Sequence, residues 1–327
     1  MEPFAKRKEA ADARRDSSDN MGDLVGCLSA WPATAPAAPE VVDVARHAPR
    51  TAAARAAEDA ARALEAAERA RAWGQGPPET VIAQRRQHSI QARAKAKAAL
   101  IQKPAVAERR VTLEGADGDA LHGVVAGTQS ETALVLVPAL GGTSDMAELC
   151  GIARRAAADG IASIRYDQRG TGLSGGSASL MEPDGEVRDC EKVVRWAREN
   201  LGASRVFVVG VSFGAAVAAA AAGRFEGVDG MVCISYPTDY LWFLTLPHAA
   251  GRWRGYASIE KPKLFVWGTR DQYAAKDAAL KWYGTLAPPK DVVLFEGLDP
   301  KRGHVFHTVS LVAALSERVV AWVLRAA

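Results

Sequence analysis

Short apolar runs rich in β-branched residues alternate with amphipathic or alanine-rich segments through the C-terminal two thirds of the chain. Each short run predicts a buried strand, and each longer periodic segment predicts a helix. The predicted strands are 110–113, 121–126, 133–138, 162–166, 205–210, 231–235, 263–267 and 291–295. The predicted helices are 145–158, 185–200, 213–223, 275–286 and 308–325.

The order of these elements predicts the layout of the sheet. No helix separates the first two strands, which indicates an antiparallel hairpin. The later strands alternate with helices and are almost wholly apolar, a pattern typical of parallel strands that are buried on both faces. We therefore expect an α/β domain with a mostly parallel, eight-stranded sheet and helices on both faces.

The first third of the chain has a different composition. Residues 1–107 are rich in alanine and charged side chains and poor in β-branched and aromatic ones, so they cannot build a core alone. Helices are predicted over 51–73 and about 80–102, and Arg85 and Arg86 begin a basic face on the second. We interpret 1–107 as an Ala-rich helical or disordered extension and 108–327 as the folded domain, with docking of a protein partner as the alternative role for the extension.

Composition and charge exclude several classes. Hydrophobic residues make up 48% and charged residues 24% of the chain, as in globular proteins. The net charge of +3 comes from 41 basic and 38 acidic residues, so no nucleic-acid partner is expected. Cys27, Cys150, Cys190 and Cys233 lack the spacing of a metal site or a disulfide framework. Since no secretory signal or membrane span is expected either, we predict a cytoplasmic protein, with organellar targeting as the alternative.

A candidate nucleophile lies in one of two G-x-S-x-G matches. Ser212 follows an apolar strand and precedes an alanine-rich helix, which is the context of a nucleophile elbow. Ser174, in the second match, has neither neighbour. We predict that Ser212 is the nucleophile and that Ser174 lies in a flexible loop.

A serine hydroxyl needs a base, and the base needs a carboxylate to orient it. Asp271 follows a predicted strand and His304 follows the last one, so both are expected at the carboxyl edge of the sheet, where reactive groups collect. Asp239 is the substitute acid, and a helix N-cap is the structural alternative for Asp271. His307 is the alternative base, but Gly303 permits a close turn before His304 and favours the latter.

The remaining site residues concern the oxyanion and the substrate. The backbone N–H groups of Phe213 and Leu140 are the predicted oxyanion donors, with a purely structural turn as the alternative for Leu140. Aromatic side chains are expected to line an acyl pocket, although those after the sixth strand could pack inward from a surface helix instead. The expected pocket residues are Tyr240, Trp242, Phe243 and Phe306.

Five motifs together carry a resemblance to a known family: 138–142 (PALGG), 166–172 (YDQRGTG), 210–215 (GVSFGA), 268–271 (GTRD) and 303–306 (GHVF). On these, residues 108–327 resemble the α/β-hydrolase superfamily, and more narrowly its small lidless hydrolases related to dienelactone hydrolases and serine-aminopeptidase-like enzymes. The resemblance implies an α/β-hydrolase sheet and a Ser-Asp-His triad. Many relatives have His-Gly where this chain has Pro138 and Ala139.

The sequence therefore predicts a serine hydrolase that cleaves an ester, thioester or small amide through an acyl-serine intermediate, without a metal or organic cofactor. The alternative is a catalytically weak α/β-hydrolase scaffold that acts as an interaction protein through its N-terminal extension. We also expect residues 108–327 to fold and to hydrolyse small esters without residues 1–107.

Overall fold

The computed structural model describes residues 39–43, 56, 59–60, 63–68, 77–101, 106–178, 183–241, 257–296, 298, 303–306 and 308–327. Residues Ala38–Ala327 form one compact unit. Among the described helices, none has the length and hydropathy that a membrane span requires.

The strands of the described residues form one nine-stranded sheet in the order β1-β9-β8-β7-β6-β4-β5-β3-β2. β2 and β3 form the expected antiparallel hairpin, β3 is also antiparallel to β5, and the other neighbours are parallel. All eight predicted strands form, within two residues of their predicted ends. The strands are β1 (Glu40–Asp43), β2 (Glu108–Glu114), β3 (Ala120–Ala126), β4 (Thr132–Val137), β5 (Ala162–Tyr166), β6 (Arg205–Val211), β7 (Gly230–Ile234), β8 (Lys263–Gly268) and β9 (Lys290–Glu296).

Helices cover both faces of the sheet, as the alternating pattern predicts. The helices with described bounds are α1 (Glu79–Ile101), α2 (Ala147–Ala158), α3 (Asp184–Leu201), α4 (Phe213–Arg224), α5 (Lys276–Gly284) and α6 (Val309–Ala326). One core lies between the sheet and α3, α4 and α5, and a second lies between the sheet and α2 and α6. Alternate residues of β6 enter opposite cores: Val206 and Val208 face the first, Phe207 and Val209 the second.

Helix α4 is central to this arrangement because it follows the candidate nucleophile directly. Every residue from Ala215 to Ala222 is buried, and all of them except Val217 are alanines. Alanine is the best helix former and its side chain is small, so α4 can pack close to β6, β7 and α3 at once. The composition of this helix therefore fixes its distance from the sheet.

The ninth strand comes from the N-terminal extension. β1 runs parallel to β9 at the edge of the sheet, and Val42 is buried in the core beside α2 and α6. Arg318 of α6 forms an ion pair with Glu40 at 2.7 Å, whereas Val41 is half exposed. The extension thus supplies one more strand than the eight expected, while the domain boundary after residue 107 remains a prediction.

The two predicted helices of the extension are present where the structure describes them. Residues 56, 59–60 and 63–68 are helical, and α1 follows the predicted range within one residue at each end. Arg86 donates to the carboxylate of Glu68 at 2.9 Å, and Arg85 donates to the carbonyl oxygen of Ala63 at 3.1 Å. Part of the predicted basic face therefore contacts the preceding helix of the same chain.

Substitution of aspartate at two adjacent positions tests whether β1 belongs to the folded domain. We expect Val42→Asp to lower the free energy of unfolding by about 2 kcal/mol, because it places a carboxylate without a hydrogen-bond partner in an apolar core. Val41→Asp, at an exposed position of the same strand, is the matched control and should stay close to wild type. Urea denaturation of both variants measures the difference, and equal stabilities would contradict the packing of β1.

Candidate active site

Ser212 lies on a sharp turn between β6 and α4. Its backbone has φ 55° and ψ −116°, so φ is positive, a conformation that non-glycine residues rarely adopt. Its N–H donates to the carbonyl oxygen of Ile234 at 2.8 Å, which holds the strained residue against β7. This geometry is typical of a nucleophile elbow, in which the serine side chain is exposed at the top of the sheet.

The two glycines of the GVSFG motif allow three backbone segments to meet at this turn. A Cβ atom on Gly210 would overlap the carbonyl oxygen of Gly214, so the first flank of the turn leaves no room for a side chain. A Cβ atom on Gly214 would overlap the carbonyl oxygens of Val137 and Pro138. Gly214 therefore sets the start of α4 directly against the end of β4. The turn that contains the predicted oxyanion donor Leu140 begins at this point.

Ser212, His304 and Asp271 form one chain of hydrogen bonds. The Oγ atom of Ser212 lies 2.7 Å from Nε2 of His304. Nδ1 of the same ring lies 2.9 and 2.8 Å from the two carboxylate oxygens of Asp271. The histidine and the aspartate are buried, and the serine is half-buried. The structure thus brings together the three residues that the sequence predicted.

Close packing of two loops places Asp271 opposite His304. A Cβ atom on Gly268, at the end of β8, would overlap the carbonyl oxygen of Gly303. A Cβ atom on Gly303 would in turn overlap the carbonyl oxygen of Arg270. Because both glycines are required for this approach, Gly303 has the role that the sequence suggested for it, and Gly268 has a matching role that the sequence did not reveal.

Hydrogen bonds hold the backbone of His304 and the carboxylate of Asp271 in place. The hydroxyl of Ser235 donates to the carbonyl oxygen of His304 at 2.8 Å. The N–H of Tyr273 donates to Oδ1 of Asp271 at 2.8 Å, and the Tyr273 ring meets the His304 ring edge-on, with 4.6 Å between centroids. Sequence reasoning missed Ser235 and Tyr273; proximity to predicted strand ends was the only available signal.

The alternative acid has a different role. Oδ2 of Asp239 accepts a hydrogen bond from the N–H of Ala275 at 2.8 Å, and Oδ1 accepts one from the Thr238 hydroxyl at 3.2 Å. Asp239 therefore holds the turn after β7 to the loop before α5, while both carboxylate oxygens of Asp271 lie within hydrogen-bond distance of Nδ1 of His304. His307, the alternative base, lies outside the described residues.

The predicted oxyanion loop is a tight turn. The N–H of Gly142 donates to the carbonyl oxygen of Ala139 at 2.8 Å, and Gly141 has φ 65°, as the third residue of a type II turn requires. Leu140 is the second residue, and 43% of its surface is exposed. Phe213 is the first residue of α4, where the N–H has no partner within the helix. A donor role for Leu140 and Phe213 remains a prediction.

The loop after β5 braces the turn after β4. The buried side chain of Gln168 donates from Nε2 to the carbonyl oxygen of Pro138 at 3.0 Å. The hydroxyl of Thr171 lies within hydrogen-bond distance of the carbonyl oxygen of Gly142, also at 3.0 Å. The polar side chains of this loop thus contact both ends of the neighbouring turn.

Ser174 lies in the same loop, and its hydroxyl is held by two hydrogen bonds, whereas the sequence predicted a flexible loop. Its buried hydroxyl donates to the carbonyl oxygen of Asp167 at 2.8 Å and accepts from the N–H of His122 at 2.9 Å. The partner on β3 is distant in sequence, so the glycine-rich composition around Ser174 gives no sign of this hydrogen bond.

Arg169 anchors the loop to the rest of the domain. Its guanidinium forms a bidentate pair with Asp189 of α3, at 2.7 and 2.9 Å, and a further hydrogen bond with Asp117 at 2.7 Å. The hydrogen bonds that Arg169 donates to Asp189 raise the pKa of Arg169, and the hydrogen bond that Arg169 donates to Asp117 lowers the pKa of Asp117. The arginine therefore stays charged throughout the ordinary pH range.

Of the four expected pocket residues, one is buried in the core, one is exposed, and two lie outside the described part of the chain. Phe306 is fully buried and meets Phe295 edge-on, with 4.9 Å between ring centroids, so its ring belongs to the core and not to an open pocket. Tyr240 is 40% exposed beside Tyr273. Trp242 and Phe243 lie outside the described residues.

Glu148 was not found by sequence reasoning. It lies in the first turn of α2, its side chain is buried, and Oε1 accepts a hydrogen bond from the N–H of Phe306 at 3.2 Å. A carboxylate is favourable at a helix N-terminus. Glu148 therefore ties α2 to the segment that follows His304.

In the described part of the chain, two buried cysteines and possible metal sites are the other groups that bear on the chemistry. Burial raises the pKa of the Cys190 thiol to about 12 and raises the pKa of the Cys233 thiol further, so both stay protonated. Among the described residues, no group of His, Cys, Asp and Glu side chains has the geometry to hold a metal ion.

Enlarging Gly214 tests the contact between α4 and β4. We expect Gly214→Ala to lower kcat/KM for a small ester by about a hundredfold or more, because displacing the reacting groups by about 1 Å costs that much. Gly284→Ala is the matched control, since a Cβ atom there meets nothing within 4 Å. Steady-state kinetics with p-nitrophenyl acetate compares the two variants, and wild-type activity in Gly214→Ala would contradict the close approach.

Comparisons with known proteins agree with this architecture. Residues 132–258 match the family model described as the alpha/beta hydrolase fold. Among curated proteins, none matches the chain. An esterase from Pyrococcus furiosus is similar in structure, with a TM-score of 0.57 and 18% identity over 68% of this chain and 91% of that chain.

Two further solved structures show the same likeness. A serine hydrolase without a lid, from Xanthomonas campestris, has a TM-score of 0.53 and 25% identity over 66% of this chain and 94% of that chain. An alpha-beta serine hydrolase homologue from Coxiella burnetii has a TM-score of 0.55 and 21% identity over 65% of this chain and 96% of that chain. The chain therefore has the α/β-hydrolase fold, which confirms the resemblance of its motifs to the α/β-hydrolase superfamily.

Proposed function

We propose that the protein is a serine hydrolase that cleaves an ester, thioester or small amide through an acyl-serine intermediate. The observation that carries the proposal is the hydrogen bond of 2.7 Å between Ser212 Oγ and His304 Nε2, with Asp271 on the other side of the ring. In this order a nucleophile, a base and an orienting carboxylate lie within direct reach of one another.

In the acylation half, Nε2 of His304 accepts the proton of Ser212 as Oγ attacks the carbonyl carbon of the substrate. The carbonyl oxygen takes the negative charge and accepts hydrogen bonds from the N–H groups of Phe213 and Leu140. The tetrahedral intermediate then collapses: the bond to the leaving group breaks, and the leaving atom takes the proton from Nε2. The products of this half are the free alcohol, thiol or amine and an ester on Ser212.

In the deacylation half, water takes the place of the leaving group. His304 removes a proton from the water as its oxygen attacks the acyl carbon, and later returns that proton to Ser212 Oγ. The acid is released and the serine is restored, so no cofactor is consumed. Asp271 accepts the Nδ1–H hydrogen bond throughout, which fixes the tautomer and stabilises the imidazolium.

The fold comparisons support the proposal without naming a substrate. The solved structures that resemble the chain are those of an esterase and serine hydrolases, one of them without a lid. Residues 235–262 connect β7 to β8, which leaves little chain for an inserted lid domain. A small ester should therefore reach Ser212 from solvent.

Labelling with a fluorophosphonate probe tests the proposal on the full-length chain. We expect one probe per molecule on the peptide that contains Ser212, and no labelling of Ser212→Ala. Ser174→Ala is the matched control from the other G-x-S-x-G match: it should label normally and lose about 1 kcal/mol of stability, because it leaves the partly buried N–H of His122 without its acceptor.

Peptide mass spectrometry locates the probe, and urea denaturation measures the stability of each variant. A label on Ser174, or none on folded wild-type protein, would contradict the proposal. The second of these results would leave the chain as a scaffold that acts through its N-terminal extension.

A further inference from the structure

The exposed apolar side chains of the domain are concentrated around Ser212. In the part of the chain that the structure describes, six large hydrophobic side chains are exposed, and four of them lie on loops at the carboxyl edge of the sheet. Leu140 and Leu173 follow β4 and β5, whereas Tyr240 and Tyr273 follow β7 and β8. Solvent contact of such side chains is unfavourable unless something covers them, so their clustering marks a binding surface.

The strand order separates these four side chains into two pairs. β6, which leads to Ser212, has β4 and then β5 on one side and β7 and then β8 on the other, all parallel. The leucines therefore lie on one side of the nucleophile and the tyrosines on the other. We call them the leucine side and the tyrosine side.

We propose that the tyrosine side binds an aromatic leaving group and that the leucine side binds an apolar acyl chain, so that the preferred substrate is an ester of an apolar acid with an aromatic alcohol. This assignment rests on the serine-hydrolase function proposed above. It extends that function to a substrate class and adds Tyr273 and Leu173 as specificity residues.

The position of His304 decides which side takes the leaving group. The proton on Nε2 must pass to the leaving atom, so the leaving group has to lie beside the imidazole when its bond breaks. The ring of Tyr273 contacts the imidazole with 4.6 Å between centroids, and Tyr240 contacts Tyr273 with 5.0 Å between centroids. Two edge-on aromatic contacts thus lead away from the imidazole. The ring of an aromatic leaving group would add a third aromatic contact to this row.

The position of the oxyanion turn assigns the other side. Leu140 belongs to the turn whose N–H faces the carbonyl oxygen in the proposed mechanism, so the acyl chain is the part of the substrate nearest to it. The backbone of Leu173 is held near this turn through the carboxylate of Asp167, which accepts from the N–H of Leu173 at 2.9 Å and from the N–H of Ser144, just after the turn, at 2.8 Å. The leucine side is therefore a fixed apolar surface.

Asp239 preorganises the tyrosine side. Its N–H donates to the carbonyl oxygen of Tyr273 at 3.2 Å, and its carboxylate accepts from the N–H of Ala275 at 2.8 Å. The loops that carry Tyr240 and Tyr273 are thereby joined before a substrate binds. A surface that is ordered in advance loses less conformational entropy on binding.

Two ester series on the full-length protein test the proposal. Benzyl acetate and butyl acetate share the acyl group and differ in the leaving group, so the ratio of their kcat/KM values measures leaving-group selection. We expect wild type to prefer benzyl acetate by about tenfold, the size of an aromatic contact. Tyr240→Leu should reduce the ratio to about two or less, and Tyr240→Phe should restore it.

The second series is p-nitrophenyl hexanoate against p-nitrophenyl acetate. Leu173→Ala should lower the preference for hexanoate by about threefold to tenfold, as expected for lost apolar contact, and leave the benzyl-to-butyl ratio unchanged. Leu324→Ala, an exposed leucine on α6, is the matched control and should change neither ratio.

An unchanged benzyl-to-butyl ratio in Tyr240→Leu, or an equal change in Leu324→Ala, would overturn the assignment. Fluorophosphonate labelling of Ser212, measured on the same samples, distinguishes a missing aromatic preference from a missing hydrolase function. Labelled protein that shows no aromatic preference refutes this inference and leaves the hydrolase function standing, whereas folded protein that neither labels nor turns over refutes both.

Discussion

The site depends on one steric constraint, the absence of space for side chains where β6, the end of β4 and the start of α4 meet. Gly210 and Gly214 satisfy it, and the contact of Gly214 with the Pro138 carbonyl places the turn after β4 beside Ser212. The strained backbone of Ser212, with φ 55°, persists because β7 accepts its N–H and because α4 is buried from Phe213 to Ala222. Without this convergence, the serine hydroxyl and the turn after β4 would not share one space.

The other residues reach Ser212 across the sheet. Asp271 follows β8, two strands from β6, and the segment with His304 follows β9, three strands away. Three kinds of contact close these distances: the backbone approach of Gly268 to Gly303, the hydroxyl of Ser235 on the His304 carbonyl, and the Tyr273 N–H on Asp271. Each of these acts on backbone or on a buried carboxylate, so the imidazole has little freedom to turn away.

Much of this arrangement could be predicted because the informative signals are local. The β-branched runs located eight strands, and the surroundings of Ser212 distinguished it from Ser174. The parts that could not be predicted depend on long-range partners. β1 is a four-residue strand whose evidence is its pairing with β9, and the role of Ser174 depends on His122 of β3. The sequence places Phe306 in a pocket because a loop has no periodicity to show which side faces the core, whereas its ring packs against Phe295 of β9.

The central claim is that Ser212 carries the acyl group during turnover. Rapid acid quenching of the full-length protein during hydrolysis of p-nitrophenyl acetate, followed by peptide mass spectrometry, measures this directly. The account predicts a single acetylated peptide, the one containing Ser212, which appears before steady state and disappears once the substrate is exhausted. Steady turnover with no acetylated peptide, or acetylation confined to another residue, would contradict it.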